Sequence, residues 1–296
     1  MTKERFVTQL IQQLETFFPQ DEYLIRSDVF IKNNNTKHYG LIIQKKTEHV
    51  FPTIYVDDFY QDYLNKKITI SEIAKRIQQV MKGFSGQVDR YQKFSIQWSD
   101  CQSKITYRVI SRERNQHLLS KIPYIPFLNL AIVFYLVYNV SERGLESICI
   151  TDELRNTWGV TIKELFQLSE ENTPRLFQPK IETMEHVLFE YLGWNPGFEE
   201  QDIPPIYIFT NEMGINGATV LIYKDLLQNF ADKMQSNLYV IPSSIHELLV
   251  IPDAGVGPLS YLSDMVKDVN HNHVLQEEIL SDCAYFYDYK EKRFIL

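Results

Sequence analysis

Two serines, a histidine and a glutamate interrupt an apolar run in the carboxyl-terminal third of the chain. The run reads YVIPSSIHELLVIPDAG, from Tyr239 to Gly255. A serine near a histidine and an acid can supply a nucleophile, a general base and a group that orients the base. Ser244, His246 and Glu247 are therefore the candidate catalytic residues of a hydrolase-like hypothesis.

The same residues also fit a role in the backbone, which we favour. Ser244 to Glu247 matches S-x-x-E, a capping box in which a hydroxyl and a carboxylate bind main-chain amides at a helix start. This interpretation predicts a strand that ends at Pro242, one helical turn, and a strand that begins at Leu248. The chain contains no G-x-S-x-G motif, and the zinc motif H-E-x-x-H fails because Val250 stands where its second histidine is needed.

A second group of ligating residue types lies in the segment DVNHNHV. His271 and His273 would share one side of a strand, where two imidazoles can hold a metal ion. A third ligand would have to come from elsewhere, such as His246 or Glu247. We favour the alternative that the segment is an exposed loop after a helix end, and we expect no metal and no cofactor.

The segment AYFYDY places Tyr285, Tyr287 and Tyr289 on one face of a predicted strand. Aromatic side chains on a sheet can stack on bases, but the acidic surroundings here repel phosphate. Ala284 and Phe286 are predicted to face the core. The tyrosines are then expected to cover a neighbouring element or to form a surface for a protein partner.

The loop EMGINGATV contains Gly214 and Gly217. A G-x-x-G loop that clamps nucleic acid lies between helices and near basic residues, whereas predicted strands flank this one. Asn216-Gly217 is typical of a hairpin turn. The phosphate-binding motifs G-x-x-x-x-G-K-S/T and G-x-G-x-x-G do not occur in the chain.

The composition is that of a globular protein. The 296 residues are 44% hydrophobic and 23% charged, which excludes disordered and fibrous classes. The most apolar run, from Phe127 to Val140, is shorter than the ~18–20 residues of a membrane helix, and the amino terminus has no signal-peptide block. Cys101, Cys149 and Cys283 lie far apart, which favours a reducing cytoplasm.

Charge is distributed unevenly along the chain. Residues 1–120 contain 18 Lys+Arg and 13 Asp+Glu, whereas residues 121–296 contain 12 and 25. We favour the interpretation that these parts balance each other. Nucleic-acid binding by the basic amino-terminal region is the weaker alternative, because its net charge is far from a dense basic stripe.

Hydrophobic spacing predicts both helices and strands. A helix is expected from Lys3 to Phe18, and a hairpin turn is expected at KNNNTK. Capping boxes T-x-x-E predict helices that start after Thr69 and Thr161. The helix after Thr69 is expected to end at Lys82-Gly83, and the helix after Thr161 is expected to break at NTPRLFQP. Strands are predicted at FPTIYV, SKITYRVISR, FLNLAIVFYLVYNV, ESICI, IYIFTN, ATVLIY, LYVIP, ELLVIP and CAYFYDY, and further helices at DDFYQDYLN, ETMEHVLFEYL, KDLLQNFADKM and LSYLSDMVKDV.

Short connections between these elements predict an α+β fold of mixed, mainly antiparallel sheets with packed amphipathic helices. We expect an amino-terminal α+β region over residues 1–120, built of helix, hairpin and helix, and a carboxyl-terminal α+β region over residues 121–296. The stretch 193–205, rich in Gly, Pro and acidic residues, is the candidate linker.

Several long segments together resemble an uncharacterised protein family of Firmicutes, known as a domain of unknown function. They include IKNNNTKHYGLII, PTIYVDDFY, ITDELRNTWGV, LYVIPSSIHELLVIP and LSDCAYFYDY, and the resemblance covers nearly the whole chain. It implies a bacterial, cytoplasmic protein and no particular activity. The most recognisable block of the family includes Asn216, Gly217, Ser243, Ser244, His246 and Glu247, whereas His271 and His273 are not a fixed pair in it.

Our leading hypothesis is a soluble, acidic, cytoplasmic protein without catalytic activity that binds a protein partner. Membrane association and nucleic-acid binding are not expected, and the sequence leaves the oligomeric state open. The alternative is a hydrolase-like enzyme centred on Ser244, His246 and Glu247, with metal assistance from His271 and His273.

Overall fold

The structure is a computed structural model that describes residues 1–47, 51–85, 95–141, 144–192, 204–253 and 257–295. Contacts divide the chain into two compact units: residues 1–32 with 36–95, and residues 33–35 with 96–296. This division falls at residue 95, and separate domains at 1–120 and 121–296 stay a prediction. Most of the predicted linker 193–205 lies outside the described residues.

The first unit packs helices on a small antiparallel sheet. Strands β1 (Tyr23–Ile31), β2 (Lys37–Lys45) and β3 (Thr53–Tyr55) are paired in this order. The helices are α1 (Lys3–Leu14), α2 (Asp57–Leu64) and α3 (Ile70–Ser85). The sheet and helices enclose a core whose fully buried members include Phe6, Leu10, Leu14, Leu41, Ile43, Ile73 and Ile77.

Local signals in this unit are confirmed, and two helix ends are corrected. β1 and β2 form the hairpin predicted around KNNNTK, and Thr69 and Glu72 form the predicted capping box. α1 ends at Leu14 instead of Phe18, because the chain turns so that Phe18 joins the core. α3 continues through Gly83 to Ser85, since one glycine lowers helix stability by only about 1 kcal/mol.

One sheet of the second unit has the strand order β4 (Ile105–Ser111), β6 (Leu130–Ser141) and β5 (Tyr124–Phe127), and β7 (Gly144–Cys149) also pairs with β6. β6 is the central, buried strand that the sequence predicts. The predicted single strand FLNLAIVFYLVYNV is wrong at its start, because Leu128 adopts a left-handed φ of 54° and turns the chain from β5 into β6.

The other sheet has six strands, and each pairing within it is antiparallel. Its order is β13 (Arg293–Ile295), β12 (Tyr285–Asp288), β10 (Leu238–Pro242), β11 (Leu248–Pro252), β9 (Tyr207–Asn211) and β8 (Pro179–Thr183). β10 and β11 form a hairpin, so the Ser243–Glu247 segment is its connecting loop.

The helices of the second unit pack on these sheets. They are α4 (Trp98–Cys101), α5 (Gln116–Leu119), α6 (Asp152–Trp158), α7 (Ile162–Leu176), α8 (Met184–Leu192), α9 (Leu226–Met234) and α10 (Leu259–Asn272). Thr161 and Glu164 form the predicted capping box of α7. The predicted break at NTPRLFQP is wrong, because Asn172 and Thr173 bond to the main chain of β4 and hold α7 in helical form past Pro174.

The predicted strand ATVLIY is wrong. Residues Gly217–Ile222 form a buried 3-10 helix, and Asn216 precedes it with a left-handed φ of 51° instead of forming a hairpin turn. Gly217 lies so close to Thr210 Oγ1 and to the carbonyl oxygen of His246 that a Cβ atom would clash with both. Close backbone packing therefore overrides the β-branched composition of this segment.

The fold within the described ranges is α+β with mainly antiparallel sheets, as the sequence predicts. No helix in the part of the chain that the structure describes has the length and apolar character needed to cross a bilayer.

Candidate functional site

The loop between β10 and β11 uses its serines to hold a bend. Ser244 Oγ accepts a hydrogen bond from the amide of His246 at 2.9 Å, and Ser243 Oγ donates to Glu247 Oε1 at 3.1 Å. The amides of Ser243 and Ser244 donate to the carbonyl oxygen of Glu247 at 3.2 and 3.3 Å. The predicted helical turn and S-x-x-E capping box are therefore wrong, because the short hairpin bonds its own strand ends instead.

The imidazole of His246 bonds to the neighbouring loop. Its Nδ1 lies 3.2 Å from the amide nitrogen of Asn216 and 3.1 Å from the carbonyl oxygen of Gly214. Its Nε2 lies 3.7 Å from Glu278 Oε1. The hydroxyls of Ser243 and Ser244 bond to groups other than this ring. Neither Ser243 nor Ser244 therefore forms, with His246, the hydroxyl–imidazole hydrogen bond of a serine nucleophile and its base.

His271 and His273 do not form the strand pair of the sequence hypothesis. His271 lies in the last turn of α10 and His273 is its C-cap, and both side chains are exposed. Residues two apart at a helix end point in different directions, so the two imidazoles do not converge as they would on a strand. The predicted exposure of this segment is confirmed, but the predicted loop is wrong for His271, because the helix extends past LSYLSDMVKDV to Asn272.

Among the described residues, one other group has metal-ligating side chains close together. Ligand atoms of Glu182, His186 and Glu190 lie within 4.8 Å of one another. Lys180 Nζ already pairs with Glu182 at 2.7 Å, and His186 and Glu190 are both about half exposed. His186 and Glu190 are therefore arranged like the surface ion pairs that are common at helix positions four apart, and Glu182 lies near the end of β8. Its E-x-x-x-H-x-x-x-E spacing is visible in the sequence.

Tyr285 and Tyr287 of β12 are buried, which agrees with the prediction that they cover a neighbouring element and corrects the alternative of a partner surface. Tyr285 is inaccessible to solvent, and its hydroxyl donates to Asn129 Oδ1 at 2.6 Å. Tyr287 is 7% exposed and donates to Gln228 Oε1 at 2.7 Å. Tyr289, after the strand, is half-buried. The sheet is thus covered on this face as well as on the face of Ala284.

The three cysteines are free thiols. Burial raises the pKa of Cys149 to about 11 and also raises the pKa of Cys101. A thiol with a raised pKa is protonated near neutral pH, so neither residue has the activated thiolate of a cysteine nucleophile.

A cleft of about 370 Å³ beside α10 is the candidate site. Its volume falls within the roughly 300–1,000 Å³ that is typical of ligand pockets. The side chains that line it come from three separate parts of the second unit. They are Arg114, Lys267, Asn270, His271, Val274, Gln276, Ile279 and Asp282.

Arg114 and Asp282 form the polar centre of this cleft. Arg114 Nη2 donates to Asp282 Oδ2 at 2.7 Å, and Asn270 Nδ2 donates to Asp282 Oδ1 at 2.8 Å. Asn270 is 5% exposed and also donates to the carbonyl oxygen of Ser281 at 2.9 Å. Both oxygens of Asp282 are thus engaged, and the side chain of Arg114 remains 30% exposed.

Asn34 fixes the segments that carry the lining residues. Its Nδ2 donates to the carbonyl oxygens of Gln276 at 2.8 Å and Ile279 at 2.6 Å. Its Oδ1 accepts from Asn115 Nδ2 at 2.8 Å, and its amide donates to Asn115 Oδ1 at 2.8 Å. Because Asn115 follows Arg114, this pair of buried amides positions both sides of the cleft.

The electrostatic balance of the lining differs from that of the surrounding sequence. Arg114 and Lys267 are basic side chains, and Asp282 is the one carboxylate among the described residues that line the cleft. Acidic residues outnumber basic ones by 25 to 12 over residues 121–296. A cleft with more cationic than anionic side chains in an acidic region favours an anionic ligand.

Sequence reasoning identified His271 of this cleft, but it missed Arg114, Lys267 and Asp282. They are single charged residues in three segments without a shared motif. The run Asn33–Asn35 was interpreted as a turn, and nothing in its composition shows that the amide of Asn34 is buried.

A family model described as a family of unknown function (DUF5688) matches residues 3–289. The chain belongs to this family. The match confirms the resemblance to an uncharacterised family over nearly the full length. No curated protein matches the chain, and no solved structure matches it. Membership of DUF5688 assigns no activity, so a functional proposal depends on the geometry of the cleft.

Proposed function

We propose that this protein is a non-catalytic binding protein of the bacterial cytoplasm, and that the cleft beside α10 binds an oxyanion of a protein partner. The oxyanion is a carboxylate or a phosphoryl group on a side chain of the partner. The observation that carries the proposal is the partly exposed side chain of Arg114 beside Lys267 in a cleft of ligand size.

The donors of the cleft suit such a ligand. A guanidinium has five N–H donors in a planar fork, and the bond to Asp282 uses one nitrogen, Nη2. Lys267 pairs with Asp264 at 3.1 Å, but these side chains are 58% and 73% exposed. Exposed ion pairs contribute little stability, so Lys267 can turn to a ligand at small cost.

The non-catalytic part of the proposal is supported by the bonding of the reactive residue types. The hydroxyls of Ser243 and Ser244 serve the hairpin loop, and Cys149 has a protonated thiol. The three free cysteines suit a reducing cytoplasm. Hydrolysis of a generic ester or peptide by the purified protein, lost in His246→Ala, would contradict this part.

Calorimetric titration of the full chain tests oxyanion binding. The probes are inorganic phosphate and a hexaglutamate peptide, which separate a phosphoryl from a carboxylate source. We expect Lys267→Ala to weaken binding of the preferred probe about tenfold, because one charge-assisted hydrogen bond is lost. Binding should also weaken as salt concentration rises.

Lys163→Ala is the matched control, since Lys163 is an exposed lysine of α7 that does not line the cleft. It should bind like the unaltered protein. Failure of both probes to bind, or equal binding by the Lys267 and Lys163 variants, would refute the cleft as an oxyanion site.

A further inference from the structure

Strand β1 has an exposed edge. β1 pairs with β2 on one side, and no strand in the described ranges pairs with its other side. Three of its apolar residues are about half exposed, namely Leu24 at 47%, Val29 at 43% and Ile31 at 51%. A nine-residue edge strand with exposed apolar side chains is a template for pairing with another strand.

The main-chain groups on this edge can be identified. The carbonyl oxygen of Glu22 accepts from Lys46, and the amide of Lys32 donates to Thr36. Even-numbered residues therefore bond to the β2 side, because antiparallel strands alternate their bonding direction. The odd-numbered residues present their N–H and C=O groups outward. They are Ile25, Ser27, Val29 and Ile31, together with the carbonyl group of Tyr23, whose amide donates to the carbonyl oxygen of Pro19.

We propose that two copies of this chain pair through β1 in antiparallel orientation, with a twofold axis at Ser27. The sequence YLIRSDVFI is chemically self-complementary about its centre. Arg26 of one copy lies opposite Asp28 of the second copy, and the axis repeats this ion pair. The apolar side chains outside them also pair across the axis, as Ile25 with Val29, Leu24 with Phe30 and Tyr23 with Ile31.

Charge selects this register from its neighbours. In such a pair, odd-numbered residues of one copy must lie opposite odd-numbered residues of the second copy. The twofold axis must therefore pass through a residue, and the nearest alternatives to Ser27 are Arg26 and Asp28. An axis at Arg26 places two arginines opposite each other, and an axis at Asp28 places two aspartates opposite each other. Opposite charges in directly facing positions stabilise a strand pair, and like charges destabilise it.

Asp28 has a role in the unpaired strand as well. Its Oδ1 accepts a hydrogen bond from the outward amide of Val29 at 2.7 Å. In the pair, this amide bonds to Ile25 of the second copy, and the carboxylate turns to the facing Arg26. The inference is independent of the oxyanion proposal, since β1 belongs to the first unit and the cleft to the second.

Light scattering and sedimentation of the full chain over a range of concentrations test this proposal. We expect a dimer, and we expect Arg26→Asp to raise its dissociation constant at least about tenfold, because two facing pairs become like-charged. Asp28→Arg should have the same effect. The double variant Arg26→Asp/Asp28→Arg restores both pairs and should restore the dimer.

Arg293→Asp is the matched control, because Arg293 is an exposed residue of β13, an edge strand of the six-stranded sheet. It should leave the dimer unchanged. A monomer at every concentration would overturn the proposal, and so would a dimer that is insensitive to the single variants. Failure of the double variant to recover would show that the register is wrong. Circular dichroism verifies that each variant is folded.

Discussion

Asn34 uses its whole side-chain amide inside the second unit. Both of its amide hydrogens and its carbonyl oxygen are bonded, and 3% of the residue is exposed. Loss of a buried hydrogen-bonding group leaves its partners unpaired, which costs about 1–3 kcal/mol for each partner. We expect Asn34→Ala to lower the free energy of unfolding by about 3 kcal/mol, measured by urea denaturation.

Asn35→Ala is the control for this prediction. Asn35 has a similar left-handed φ, 61° against 57° for Asn34, but it is exposed. Both alanines suffer the same backbone strain, so the difference between the two variants isolates the buried hydrogen bonds. Equal destabilisation by the two substitutions would contradict the role of the Asn34 side chain.

Single residues show where sequence reasoning ends. Alternation correctly placed Tyr285 and Tyr287 on one face of a strand, but not the burial of that face. Likewise, the composition of the Ser243–Glu247 loop indicated that its polar groups bond to the backbone, but not which groups they bond. Partners such as Asn129 for Tyr285 and Asn216 for His246 are distant in sequence, so only the fold brings them together.

At the scale of elements, α7 begins with a capping box that links its stability to pH. Hydrogen bonds to the backbone and side chain of Thr161 lower the pKa of Glu164 from its usual 4.5. A group with a lowered pKa in the folded state stabilises the fold above its unfolded pKa, and this contribution is lost as pH falls through the folded pKa. The carboxylate of Glu164 should therefore stabilise the protein near neutral pH, and this contribution should be lost as the pH falls below the usual 4.5 and through its lowered pKa.

We expect Thr161→Ala to cost about 1 kcal/mol at pH 7, as the loss of an N-cap does. Glu164→Gln should be less stable than the unaltered protein at pH 7, and this difference should shrink below pH 4.5. Thermal unfolding at several pH values measures both effects. A difference between Glu164→Gln and the unaltered protein that grows toward low pH would contradict the assignment.

The elements were predictable where their signals are local. The boxes T-x-x-E at Thr69 and Thr161 define helix starts because all their bonds lie within four residues. The helix start predicted from S-x-x-E at Ser244 is wrong, because this segment connects two paired strands and leaves no room for a helical turn. The strand predicted over residues Gly217–Ile222 is also wrong, because tertiary packing determines the conformation of this segment.

At the scale of the whole molecule, the division at residue 95 predicts how fragments behave. The core of the first unit is drawn entirely from residues 6–81. A fragment of residues 1–95 is therefore expected to fold with cooperative thermal unfolding. A fragment that begins at residue 121 lacks β4, and every residue of β4 pairs with β6 in the full chain. Residues 121–296 should thus be less stable than residues 96–296, as measured by urea denaturation.

Either of two results would contradict this division. One is an unfolded fragment 1–95, and the other is a fragment 121–296 as stable as 96–296.

The fold class was predictable from short connections and amphipathic spacing, which are averages over many residues. A division at residue 120 stays a prediction, and the pairing of the strand after residue 104 with a strand that begins at residue 130 is a long-range contact that no local pattern indicates.

The close packing around Gly217 restricts which residue can occupy this position in homologous proteins. Any β-carbon at this position would collide with the carbonyl oxygen of His246, and it would come within 2.9 Å of the amide nitrogen of Asn211. These are main-chain atoms, so no rotamer change can relieve the overlap. An alignment of homologues should show glycine at this column even where the neighbouring serines and histidine vary.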